Sequence, residues 1–111
     1  MTKEFVQKES AGLNGWTVWG VSGRIDMVTA DTAYATGEDI VTRSAKTVLD
    51  MSEMDYLSSA GLRVLLRLNK LAKKNGKEFT LAGPSGIVKS VLEDSGMDSL
   101  FTVWTSVNDA E

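Results

Sequence analysis

Two adjacent serines, Ser58 and Ser59, stand ahead of Ala60, Gly61 and a leucine-rich stretch, and theirs are the hydroxyls best placed in this chain to do chemistry. Asp26, Asp50 and Ser52 are the other candidates, each at the end of an apolar run. A serine needs a base to become a nucleophile, most often an imidazole, and the sequence contains no His and no Cys. The same absence removes the usual ligands of zinc, iron and copper. No metal or other cofactor is therefore expected, and no residue is expected to be catalytic. Ser59-Ala60-Gly61 supplies only half of the Gly-x-Ser-x-Gly nucleophile elbow, with Leu57 in the first Gly position. What remains is acceptance. A hydroxyl at a helix start can cap the helix, and it can carry a phosphate of about −1.5 to −2 charge, which the helix N-terminus favours.

The elements that must position these groups follow from periodicity and turn chemistry. Residues 5–9 and 16–22 alternate as strands around Gly12-Leu-Asn-Gly15, which predicts a hairpin. Gly23-Arg-Ile-Asp26 leaves the second strand, and Thr29 is expected to cap a helix with Asp31 in its first turn. Ala30, Ala33, Tyr34, Gly37, Ile40 and Val41 recur there at helical spacing. Residues 47–51 read as a short strand followed by a polar loop. The longest helix runs from Ser59 or Ala60 to about residue 75, with Leu62, Val64, Leu65, Leu66, Leu68, Leu71 and Ala72 on one broad arc. Arg63, Arg67, Lys70 and Lys74 fall on the rest of its surface, and Gly76 stops it.

Residues 78–82 alternate as another strand, and a shorter helix through Ile87, Val88, Val91 and Leu92 ends at Gly96. Residues 100–104 read as a last strand carrying Trp104, and 105–111 as the start of a final helix. Trp16, Trp19 and Trp104 are expected in the core. The order ββαβαβαβ(α) makes the strands after the hairpin parallel, joined by crossover helices. It predicts an α/β fold of two layers: a mixed, mainly parallel sheet of about five strands with helices mainly on one face.

The chain has 111 residues, the size of one domain. Its net charge of −3 argues against a nucleic-acid binder, which needs a basic surface to displace counterions. No apolar run approaches the length of a membrane span, and the start Met-Thr-Lys-Glu lacks a signal peptide's apolar segment. With no cysteine to suggest an oxidising compartment, the reading is a cytoplasmic, single-domain protein with no membrane partner.

The segment from Leu49 to Leu66 resembles the signature of the STAS family, in which Asp-Leu-Ser is followed by Asp-Ser-Ser-Gly-Leu or Asp-Ser-Thr-Gly-Leu. Asp50, Met51 and Ser52 match its first part; Ser59, Gly61 and Leu62 match its second. Gly23-Arg-Ile-Asp26 with Thr29-Ala30 resembles the family's turn into its first helix, and residues 84–101 resemble its closing helix and strand. The resemblance is to the bacterial anti-sigma-factor antagonist type, and it implies a non-enzymatic binding module. Its implied partners are an anti-sigma factor of serine/threonine kinase type and a PP2C-type phosphatase. It also implies phosphorylation of Ser59, with Ser58 as the alternative acceptor because Ser58 stands where the family has Asp.

Asp26, Asp50, Ser52, Ser58, Ser59, Gly61, Arg63 and Arg67 are the expected partner-binding residues. Each has a plainer role open to it. Asp26, Asp50 and Ser52 can serve loop hydrogen bonding, and the arginines a solvated helix face. Two other functions remain in view: a STAS interaction module of a stressosome-like scaffold or lipid-transport complex without phosphorylation, and a receiver-like domain with Asp50 as acceptor. The opening hairpin, and the lack of an acidic pair after the first strand, fit the receiver poorly.

Overall fold

The computed structural model describes residues 3–111. Strands β1 (Val6–Ala11) and β2 (Thr17–Ile25) form the expected antiparallel hairpin, turned by Asn14 and Gly15 in left-handed conformations with φ of 57° and 83°. Helix α1 (Ala30–Arg43) leads to β3 (Lys46–Leu57), α2 (Ser59–Lys74), β4 (Glu78–Ala82), α3 (Gly86–Asp94) and β5 (Val103–Trp104). The sheet order is β1-β2-β3-β4-β5, parallel from β2 onward. This is the predicted α/β sandwich.

One sheet face presents Trp19, Val21, Leu49, Met51 and Leu81 to Ile40, Val41, Leu65, Leu68, Val88 and Leu92 of the helices, all buried. Gly37 brings α1 close: a Cβ there would lie 2.6 Å from Leu68 Cδ1 and 2.8 Å from the Trp19 ring. The Trp19 indole N–H donates to Gln7 Oε1 at 2.9 Å, so its burial leaves no orphaned donor. The other face carries a smaller cluster of Trp16, Val18, Val48, Ala82 and Ala110, with Trp104 edge-on to Trp16 at 6.4 Å. A 3-10 turn (Val107–Asp109), closed by a capping box between Ser106 and Asp109, lies over it.

Four local expectations differ from the structure. The polar loop after residue 51 is strand: β3 runs on to Leu57, paired with the end of β2. Gly20 and Ser22 oppose Asp50 and Glu53, and Gly23 and Arg24 oppose Met54 and Tyr56, so β3 holds an extra residue at each of two bulges. The bulges place Met51, Met54 and Leu57 inward at a spacing of three, which hides the strand's alternation. Thr29 stands at the start of α1 but makes no side-chain cap bond. Its hydroxyl is drawn back into the turn, donating to the Arg24 carbonyl at 2.8 Å and accepting from the Asp26 N–H at 3.0 Å. β5 is shorter than expected, and the C-terminal segment forms a single 3-10 turn in place of a helix.

Candidate functional site

The ends of β2 and β3 meet at one edge of the sheet, where the α1 and α2 N-termini also lie. Ser58 is the N-cap of α2: extended, with its Oγ accepting from the Gly61 N–H at 3.3 Å and facing the Ile25 carbonyl at 3.3 Å. Its backbone N–H donates to the same carbonyl at 3.0 Å. Ser59 is the first residue of α2 and is exposed, and its hydroxyl has no hydrogen-bond partner among the described residues. The adjacent serines thus divide two jobs, one hydroxyl engaged in capping and the other free.

Gly61 permits this approach. A Cβ there would meet Leu57 Cδ1 at 2.5 Å and the Ile25 carbonyl oxygen at 2.7 Å, so only a glycine lets the first turn of α2 rest on the end of β2. Asp26 shapes the facing turn. Its carboxylate accepts from the N–H groups of Val28 at 3.0 Å and Thr29 at 3.2 Å, and from Arg24 Nε at 3.3 Å. Burial works against the charge, but the Thr29 N–H, Arg24 and the Val28 N–H together outweigh it and hold the Asp26 carboxyl below its ordinary value.

The turn so pinned projects Met27 and Val28, which are 85% and 86% exposed. Two neighbouring apolar side chains are thus held out to solvent on a turn fixed by hydrogen bonds. Sequence reasoning passed over them, although their signal was present: an apolar pair just after Asp26, outside the helical periodicity of α1. Between Met27, Ala30 and Asp31 on one side and Ala60, Arg63, Val64 and Arg67 on the other runs a groove of about 300 Å³. Arg67 lies over the Tyr34 ring at 3.7 Å and so ties α2 to α1. Arg63 is exposed and joins no ion pair among the described residues.

Asp26, Ser58, Ser59, Gly61, Arg63 and Arg67 therefore share one edge. Asp50 and Ser52 do not. They lie roughly 20 Å back along β3, at ~3.3 Å per residue. Asp50 Oδ1 accepts from the Ser52 N–H at 3.0 Å, a local bond at the first bulge of β3, and Ser52 packs against Gly83. Asp50 also lines a second cavity of about 370 Å³ with Lys3, Lys8, Gly20 and Glu53. Among the described residues no group of His, Cys, Asp or Glu is arranged to hold a metal ion.

Residues 7–110 match the family model of the STAS domain. The chain is 26% identical over 98 residues to the anti-sigma-F factor antagonist RsfB of Mycobacterium tuberculosis, covering 87% of this chain and 80% of that one. It superposes on the crystal structure of an anti-sigma factor antagonist from Mycobacterium paratuberculosis with a TM-score of 0.84 at 24% identity, covering 96% of this chain and 90% of the other. The Bacillus cell fate determinant SpoIIAA in its phosphorylated form gives a TM-score of 0.66 at 13% identity, over 88% of this chain and 90% of that one. With Asp50, Met51 and Ser52 within β3, Ser59, Gly61 and Leu62 in the first turn of α2, and the family model spanning nearly the whole chain, this protein belongs to the STAS domain family.

Proposed function

We propose that this protein is an anti-sigma factor antagonist that binds an anti-sigma factor of serine/threonine kinase type and is switched off by phosphorylation of Ser59. The observation that carries the reading is the free, exposed Ser59 hydroxyl at the start of α2, beside a Ser58 hydroxyl already engaged as the cap. The names of its relatives support the role, and a phosphorylated form of SpoIIAA is known in the same fold.

In this mechanism Ser59 Oγ attacks the terminal phosphorus of the partner's bound ATP, the new O–P bond forms, and the bond to ADP breaks. The proton leaves to a base of the kinase, because this chain offers no imidazole or thiolate of its own. The unmodified site docks through Met27, Val28 and the groove beside α2. The phosphate adds bulk and about two negative charges at the centre of that surface, so it blocks docking while the helix N-terminus accommodates it. A PP2C-type phosphatase restores the serine. Such a circuit operates in the cytoplasm, and among the described residues no helix is long and apolar enough to cross a membrane.

One observation favours a second reading. Ser58 stands where the family's Asp is expected, which suits a STAS module that docks in another assembly without phosphorylation. Affinity capture with intact-mass analysis separates the two. The first reading expects a bound kinase that is released once a single phosphate is added, and binding that Ser59→Asp abolishes. A partner whose binding ignores both Ser59→Ala and Ser59→Asp contradicts it.

A further inference from the structure

We infer that Arg63 is the counter-ion of phosphorylated Ser59, so that modification also withdraws Arg63 from the docking groove. This rests on the reading of Ser59 as the acceptor and names how that site is regulated. Ser59 and Arg63 are four residues apart on α2, the spacing at which side chains on a helix meet. A helical side chain leans toward the helix N-terminus, so Arg63 covers the turn that Ser59 begins. Its guanidinium can grip two phosphate oxygens at once, which a lysine cannot do.

The neighbouring guanidiniums are occupied. Arg67 is stacked on Tyr34, and Arg24 lies against Asp26 and 4.6 Å from the centre of the Tyr56 ring. Among the described residues Arg63 alone of these three is without such a partner, and in the unmodified chain it lines the groove with Met27 and Ala60. The other charged groups at this edge are Asp26 on the turn and Asp31 on α1, and neither forms an ion pair with Arg63. Because residue 58 is Ser and not Asp, no carboxylate directly precedes Ser59 to compete with its phosphate for Arg63. The switch thus has two parts, an added anion and a cation taken away from the partner's side.

The test places phosphoserine at position 59 by chemical synthesis or encoded incorporation and follows the phosphorus NMR shift against pH. Arg63 should hold the second phosphate pKa about 0.5 unit below its value in Arg63→Gln, given a free value of about 6. Arg63→Lys, which keeps the charge without the fork, should fall between the two. A difference of less than about 0.2 unit between the parent and Arg63→Gln overturns the inference. No kinase enters this titration. A chain that no kinase phosphorylates defeats the reading of Ser59 and leaves the titration result standing.

Discussion

The backbone N–H of Ser58 donates to the carbonyl of Ile25 at 3.0 Å, and this bond holds the start of α2 to the end of β2. Through it the Asp26 turn, with Met27 and Val28, and the Ser59 turn form one surface. A partner meeting the apolar pair also meets the free serine.

Gly61→Ala should separate the two turns. The added methyl overlaps Leu57 and the Ile25 carbonyl, and the carbonyl cannot move without breaking the Ser58 bond. The expected cost is about 2 kcal/mol, with a melting temperature lower by roughly 10 °C for a domain of this size. Thermal unfolding followed by circular dichroism checks it, and an unchanged midpoint would show that the close approach is not required.

The serines should differ in stability as they do in hydrogen bonding. Ser58→Ala removes the α2 cap and should cost about 1 kcal/mol. Ser59→Ala removes an exposed hydroxyl with no partner among the described residues and should stay within about 0.5 kcal/mol of the parent. Equal losses in urea unfolding would mean that the two hydroxyls do not divide the work.

Asp26→Asn should destabilise the protein in a pH-dependent way. The folded-state pKa of Asp26 lies below its ordinary 3.8, so its stabilising contribution is fully present above that value and is lost as pH falls through the folded pKa. The variant should therefore be less stable than the parent near neutrality, and the gap should close in strongly acidic buffer. A gap constant from neutral pH down to about 2 would show that the carboxylate's charge is not what pins the turn.

Met27→Glu and Val28→Ser should leave the midpoint of unfolding nearly unchanged, since both side chains are more than four-fifths exposed. Each should weaken binding to the anti-sigma factor tenfold or more, a loss of about 1.4 kcal/mol or greater. Isothermal calorimetry with the purified partner measures this directly. Parent-like affinity in both variants would remove the apolar pair from the interface.

Much of this arrangement was legible in the sequence where one physical rule acted alone. The wide leucine arc of α2, its stop at Gly76 and the Asn14-Gly15 hairpin turn each follow from local geometry. The second half of β3 was not legible, because two bulges change its inward spacing from two residues to three. Thr29 misled for a related reason: a good capping residue was recruited by Arg24 and Asp26 of the preceding turn. At the site, Ser58, Ser59, Gly61, Asp26 and the two arginines could be gathered by reasoning that parallel strands present their C-terminal ends together. Asp50 and Ser52 belong to the same signature yet lie well back along β3, a separation visible only once the length of that strand is known.

The most direct test of the switch is to treat the parent, Ser58→Ala and Ser59→Ala with the kinase-type anti-sigma factor and ATP, then locate the phosphate by fragment-ion mass spectrometry. The account predicts one phosphate on Ser59 in the parent and in Ser58→Ala, none in Ser59→Ala, and loss of partner binding only where the phosphate is present. A phosphate on Ser58, or release of the partner from Ser59→Ala on addition of ATP, would contradict it.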